Sequence, residues 1–283
     1  MRILITGSSG MLAKDLIEEF KNDNELILAN KETLDITNKE QVENFIKETK
    51  PEILINGSAY TAVDNAEDED QKELCLKINS EGVKNLAEAC SKNNIIFVHY
   101  STDYIFDGES MDGYKEDNRT LGPVNFYGYS KYLGEQNVLR VENENYQFQY
   151  YILRTSWLYG KEGKNFIKTM LELSKTKSEL NIINDQHGSP TYTVDLAKRT
   201  RYILEQKLKK GIYHVTNEGT TTWYDFAIEI FRIKNINIKV NPVSSEKYKA
   251  KAKRPHYSTL INTKILPKMR NWEEALEEFL KII

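Results

Sequence analysis

The sequence predicts an α/β chain with a doubly wound parallel sheet over residues 1–155 and a smaller C-terminal, substrate-binding lobe over residues 156–283. Three observations carry this. Short apolar runs alternate with helical patterns through the first half, as in βαβ units. The runs are continuous rather than alternating, as strands covered on both faces require. A glycine-containing turn joins the first run to the first helical pattern.

In order, Ile3-Leu4-Ile5 precedes a helix near 11–21. Leu26-Ile27-Leu28 precedes one near 38–48, with Thr37 as its N-cap. Ile53-Leu54-Ile55 leads to a helix near 70–91, and Ile95-Ile96-Phe97-Val98 to a long loop and a helix near 126–141. Tyr151-Ile152-Leu153 closes the series. Beyond residue 155 the pattern loosens: a loop over 184–190, a short strand from Gly211, a helix near 223–233, a basic segment with Lys253-Arg254-Pro255 and an amphipathic helix near 272–282. No repeat or low-complexity linker divides the chain, so it has room to cross between the lobes.

Size and composition narrow the classes. The 283 residues can bury a sizeable core without disulfides or metals. A hydrophobic share of 40% and a charged share of 29% describe a globular chain, and a net charge of −3 with mixed signs gives no footprint for nucleic acid. No apolar run approaches the length of a membrane span, and the opening residues, which run straight into Arg2-Ile3-Leu4-Ile5-Thr6, lack the charged-then-apolar pattern expected of a signal peptide. Cys75 and Cys90 lie in one expected helix and read as free buried thiols, in keeping with a cytoplasmic location.

Gly7-Ser8-Ser9-Gly10-Met11-Leu12-Ala13 has the spacing of a dinucleotide turn. Gly7 permits the tight turn, Gly10 lets backbone approach a pyrophosphate, and Ala13 lets helix and strand pack closely. The helix N-terminus then offers free N–H groups to phosphate. Such glycines are common alone, but placement straight after an N-terminal strand makes them specific. Gly7, Ser9, Gly10, Met11 and Leu12 are the expected contacts. At the end of the second strand an NAD site usually carries an acid for the ribose 2′-OH. Here Ala29-Asn30-Lys31 stands there instead, so Asn30 and Lys31 favour NADPH, with NADH also used. Lys31 alone would also read as a solvated surface lysine. Asp35 and Ile36 are expected to border the adenine.

Tyr127 and Lys131 are four residues apart on a helix and share one face, about 6 Å apart along the axis. A phenol is a weak acid–base group at neutral pH, and a neighbouring ammonium is expected to lower its pKa. Thr102, in Ser101-Thr102-Asp103, follows the fourth strand, at the sheet end where open α/β folds bind ligands. Each part alone is weak, and a hydroxyl or acid there often does no more than cap a turn. Their order along the chain, on the expected elements, is far more specific than any one part.

These residues resemble the extended short-chain dehydrogenase/reductase superfamily, and further blocks resemble its dTDP-4-dehydrorhamnose reductases. The blocks are Asn56-Gly57-Ser58-Ala59-Tyr60-Thr61-Ala62-Val63-Asp64, the run from Ser101 to Gly108, Arg154-Thr155-Ser156-Trp157-Leu158-Tyr159-Gly160, Asn165-Phe166, Asp185-Gln186 with Gly188-Ser189-Pro190-Thr191, and Lys253-Arg254-Pro255. The resemblance covers the whole chain and implies a Rossmann fold and reduction of the C4 keto group of dTDP-4-dehydro-L-rhamnose.

It further implies that Tyr127 gives the proton, that Lys131 holds the nicotinamide ribose and tunes Tyr127, and that Thr102 orients the phenol or the keto oxygen. Ala59 and Tyr60 would line the nicotinamide. Val63, Asp64, Tyr104, Trp157, Asn165 and Arg254 match positions near the sugar nucleotide, with Arg254 a diphosphate ligand suited by its planar fork. Trp157 also reads as core, and Asp185 and Gln186 as loop residues. Gly57-Ser58 and Asn65 depart from the family pattern. Some members dimerise through Mg²⁺. Asp15 matches one ligand, but Val194 stands where another acid is wanted, so the metal is not carried over and the chain is expected as monomer or homodimer. Two other readings stand beside this one: a reductase or epimerase of another nucleotide-linked 4-keto sugar, and a non-catalytic partner resembling the regulatory subunit of methionine adenosyltransferase. Retention of Thr102, Tyr127 and Lys131 favours an enzyme.

Overall fold

In the computed structural model, which describes residues 1–118 and 121–283, the apolar runs become strands of one parallel sheet. In chain order the first elements are β1 (Arg2–Thr6), α1 (Met11–Phe20), β2 (Glu25–Ala29), α2 (Lys39–Thr49), β3 (Ile53–Asn56), α3 (Glu69–Leu76), α4 (Val83–Lys92) and β4 (Ile96–Thr102). Next come β5 (Tyr114–Lys115), α5 (Phe126–Glu144), β6 (Tyr150–Thr155), β7 (Leu158–Tyr159), α6 (Phe166–Ser174), β8 (Glu179–Ile183), β9 (His187–Gly188), β10 (Thr191–Tyr192) and α7 (Thr193–Glu205). The rest are β11 (Gly211–His214), β12 (Thr221–Thr222), α8 (Trp223–Ile233), β13 (Lys239–Val243), α9 (Ser245–Tyr248), β14 (Leu260–Ile261) and α10 (Trp272–Lys281).

The large sheet has the order β11-β6-β4-β3-β1-β2, with every neighbouring pair parallel. The chain runs from β1 outward to β2, then jumps back to β3 on the other side. That reversal opens a crevice at the carboxyl ends of β1 and β3, where such sheets bind ligands. One face is covered by α1 and α7, whose Leu16, Phe20, Leu196 and Ile203 pack on Ile3, Ile5, Ile55 and Val98. The other is covered by α2, α4 and α5, through Val42, Ile46, Val83, Leu86 and Val138 against Leu4, Leu54, Phe97 and Ile152. A second core gathers α6, α8 and α10 around Ile167, Phe226, Ile230, Trp272 and Phe279. After β6 the chain visits this smaller lobe. It then returns through α7 and β11, which pairs with β6.

Local chemistry moved some boundaries. Asn38, not Thr37, caps α2, accepting from the Gln41 N–H at 3.0 Å. Thr37 is held back because its N–H and hydroxyl both bond Asp35 Oδ1, at 2.9 and 2.8 Å. The helix expected near 70–91 is interrupted by a π-helical segment, Lys77–Gly82. Its Asn79 side chain bonds the backbone of Tyr60 on both sides, accepting from N at 2.9 Å and donating to O at 3.0 Å. A widened turn next to a binding crevice is a recurrent feature of functional sites. Cys75 and Cys90 are free and buried, and no helix among the described residues is long and apolar enough to cross a membrane.

Candidate active site

The glycine turn sits at the crevice. Gly7 has φ +62°, and a Cβ there would lie 2.7 Å from the backbone carbon and oxygen of Gly57. Only glycine combines that conformation with that approach. Gly10 is the N-cap of α1 and has no side chain to bond the helix's first N–H groups; the first turn carries no acidic residue. An anion is therefore unopposed at this helix end, and the turn fits a pyrophosphate. Ser9 and Gly10 are exposed, while Met11 and Leu12 are half-buried, Leu12 against the sheet's core.

At the end of β2, the Asn30 side chain is committed to its own turn, accepting from the N–H groups of Glu32 and Thr33 at 3.0 and 3.1 Å. Lys31 is exposed at the tip of that turn. Asp35 organises the approach to α2 through Thr37, and Ile36 is buried beneath Gly82. Ala59 is exposed, and the Tyr60 hydroxyl donates to Gln71 Oε1 at 3.3 Å.

The chemical end is built by β4 and α5. Thr102 ends β4, accepts from the Tyr104 N–H at 3.2 Å and donates to Asp103 Oδ1 at 2.9 Å. Asn125 caps α5, accepting from the Gly128 N–H at 2.7 Å and donating to the Lys253 carbonyl at 2.8 Å. Gly128 follows Tyr127 for a steric reason: a Cβ there would lie 2.2 Å from the Tyr104 carbonyl oxygen. This close approach brings the Tyr127 phenol to the Thr102 hydroxyl and sets its ring edge-on to Tyr104, with centroids 6.0 Å apart.

Lys131, only 3% exposed, donates to the Tyr100 carbonyl at 2.6 Å. It does not act as the ammonium expected to lower Tyr127. Burial, followed by the charge of Asp103, pushes the Tyr127 phenol up, with Thr102 opposing. The four-residue spacing makes the two side chains neighbours on the helix, but the longer arm of Lys131 turns to β4. A phenol held protonated at neutral pH suits a proton donor. Burial lowers Lys131 to about 8, with Glu135 and Cys75 pulling the other way.

Asp103 is 2% exposed, and burial raises it to about 7 against the hydrogen bonds of Ser258 and Thr102, which pull it down. A raised carboxyl binds its proton more tightly folded than unfolded, so this group costs stability as pH rises from its ordinary 3.8 to about 7. Asp103→Asn cannot ionise. Its Tm relative to wild type should therefore climb between acid and mildly alkaline pH, and a constant offset in pH-dependent melting curves would refute this.

On the substrate side, Arg254 meets Asp64 in a two-pronged pair, Nη1 to Oδ1 at 2.7 Å and Nη2 to Oδ2 at 2.6 Å. The guanidinium holds Asp64 down to about 2. Arg254 is thus braced by a carboxylate and also meets Tyr104. Val63 is half-buried in the same loop. Trp157, at φ +46°, stacks on Trp223 with centroids 3.5 Å apart, and is half-buried. Asn165 caps α6, accepting from the Lys168 N–H at 3.1 Å and donating to the Gly160 carbonyl at 2.9 Å. Asp185 holds a loop, accepting from the Ser245 N–H at 2.9 Å. Asp15 accepts from the Thr193 hydroxyl at 2.5 Å, and no cluster of metal-ligating side chains occurs among the described residues.

Comparison with known proteins places this geometry. The family model described as "RmlD substrate binding domain" matches residues 1–283. The chain belongs to that family. A crystal structure of dTDP-4-dehydrorhamnose reductase from Bacillus anthracis str. Ames in complex with NADP superposes with a TM-score of 0.93 at 41% identity, covering 100% of this chain and 99% of that one. A dTDP-4-dehydrorhamnose reductase of Aggregatibacter actinomycetemcomitans is 38% identical over 98% of this chain and 97% of its own length. A dTDP-4-keto-6-deoxy-D-glucose reductase of Streptomyces niveus is 35% identical over 100% and 97%.

Within this RmlD-family chain, the structure brings Thr102, Tyr104 and Tyr127 together, seats Lys131 one turn along α5 against the Tyr100 carbonyl, and sets the Asp64–Arg254 pair next to Tyr104. Sequence reasoning did not single out Asn56 and His99, which are buried and lead to Lys131 through His99 Nε2. Both are polar interruptions of apolar strands, and a buried polar residue in a strand is the informative kind.

Proposed function

We propose that this protein reduces the C4 keto group of dTDP-4-dehydro-L-rhamnose, using NADPH in preference to NADH. The meeting of Tyr127 with Thr102, with Lys131 one turn along α5, carries the reading, and the glycine turn after β1 and full-length relatives named for this reaction support it. Bound at the crevice, the nicotinamide cofactor supplies the hydride. Gly7, Ser9, Gly10, Met11 and Leu12 hold its pyrophosphate at the mouth of α1, Lys131 its ribose, and Ala59 and Tyr60 its nicotinamide side. Tyr127 delivers its proton to the C4 oxygen as negative charge gathers there, and the Thr102 hydroxyl orients phenol and oxygen. Arg254, braced by Asp64, meets the diphosphate, with Val63, Tyr104, Trp157 and Asn165 around the sugar nucleotide. The free thiols of Cys75 and Cys90 support a cytoplasmic location.

Lys31 is the residue that favours NADPH in this reading. Lys31→Glu should raise the KM for NADPH about tenfold and leave that for NADH nearly unchanged, since it reverses one charge facing a 2′-phosphate. Equal effects on both cofactors would remove Lys31 from the site.

The Streptomyces niveus relative, named for a 4-keto-6-deoxy-D-glucose substrate at similar identity, favours a second reading in which another dTDP-linked 4-keto sugar is reduced. Comparing kcat/KM across dTDP-linked 4-keto sugars, each with NADPH and NADH, separates the two. The first reading predicts that dTDP-4-dehydro-L-rhamnose ranks first; a different leading sugar overturns it.

A further inference from the structure

Three polar side chains lie buried in the sheet beneath the site: Thr6 at the end of β1, Asn56 at the end of β3 and His99 within β4, none more than 1% exposed. They form a line toward Lys131. Thr6 Oγ1 donates to Asn56 Oδ1 at 2.7 Å, Asn56 Nδ2 lies 3.1 Å from His99 Nδ1, and His99 Nε2 lies 3.5 Å from Lys131 Nζ.

The backbone N–H of Ser58 fixes the polarity of this line. It donates to Asn56 at 3.1 Å, and a backbone N–H can meet only an acceptor, so that atom is Oδ1. Asn56 therefore turns its amide N–H toward His99, and Nδ1 must present a lone pair. A neutral imidazole with Nδ1 free carries its proton on Nε2. That N–H faces Lys131. An imidazolium would set N–H against N–H at one end and two cations together at the other; burial and Lys131 accordingly hold His99 well below its ordinary range.

We infer that Asn56 and His99 are positioning residues that lock one imidazole tautomer, so that an N–H donor faces Lys131 and opposes its ammonium form. Lys131 then keeps one protein acceptor, the Tyr100 carbonyl, and its other N–H groups are left for the site. The remaining groups around Lys131 are Tyr127 one turn earlier on α5, Glu135 one turn later and paired with Arg154, and Cys75 on α3. The inference rests on the reading of Lys131 as part of a reductase site.

The test has two arms. Long-range proton–nitrogen NMR on the whole protein reports the tautomer of each of its four histidines, with His99 assigned by loss of its signal in His99→Gln. The lock predicts a protonated Nε2 and a bare Nδ1 at neutral pH; a proton on Nδ1 overturns it. Asn56→Asp offers Nδ1 an acceptor, moves the proton there and lets Nε2 accept from the ammonium. The alkaline limb of NADPH-dependent reduction should then move up by about one pH unit. A merely structural Asn56 would lower kcat and leave the limb in place, which also overturns the lock. Should Asn56→Asp fail to fold, the wild-type spectrum still decides. That spectrum needs no substrate, so absence of turnover on any 4-keto sugar would count against the reductase reading and not against the tautomer.

Discussion

Tyr127→Phe should lower kcat by about 10²–10⁴-fold while leaving the KM for NADPH within a few-fold of wild type. The change removes one oxygen. It leaves the ring edge-on to Tyr104 and the Gly128 approach intact, so melting should shift little. The loss therefore falls on the chemical step, as expected for an interaction made in the transition state. Steady-state kinetics with both substrates varied checks this. Near-normal turnover would mean that another group supplies the proton.

The largest expected effect on stability lies two turns further along the same helix. Glu135 and Arg154 are 0% and 2% exposed and joined by two hydrogen bonds, Nε to Oε1 at 2.9 Å and Nη2 to Oε2 at 2.7 Å. The guanidinium also lies 5.2 Å from the centroid of the Phe106 ring. Glu135→Leu strands a buried cation and should cost about 3–5 kcal/mol. In a chain of this length that lowers Tm by on the order of 10 °C. Adding Arg154→Met should recover a large part, because an apolar pair of similar volume avoids the desolvation of both ions. Thermal melts of the single and double variants make the comparison. If the double variant were as unstable as the single one, the stranded charge would not be the cause. The pair pins α5 to β6 directly behind Lys131, so the single variant should also lose activity below its melting range.

Much of the fold was legible because its signals are local. Continuous apolar runs such as Ile53-Leu54-Ile55 mark strands covered on both faces, and a glycine turn after the first run marks the passage from β1 to α1. That Tyr127 and Lys131 lie one turn apart on a single helix was legible through their spacing. What was not legible depends on contacts between distant segments. Asp64 and Arg254 are 190 residues apart, and nothing local to either shows that they pair. Asn56 and His99 are 43 apart and meet only because β3 and β4 are in register, with Asn56 opposite His99. The short run at Gly211 reads as a strand, but its partner β6 is a matter of topology. The electrostatics of Tyr127 were misjudged for the same reason. Helical spacing shows that Lys131 is a neighbour, not that its amine is drawn to the Tyr100 carbonyl.

The central claim is that this site moves a hydride to C4 of a dTDP-linked 4-keto sugar while Tyr127 supplies the proton. NADPH deuterated at the transferring position, incubated with the protein and dTDP-4-dehydro-L-rhamnose, tests it most directly. The account predicts dTDP-L-rhamnose carrying deuterium at C4, formed by the wild type and nearly absent with Tyr127→Phe. Unconsumed NADPH, or deuterium at any other carbon, would contradict it.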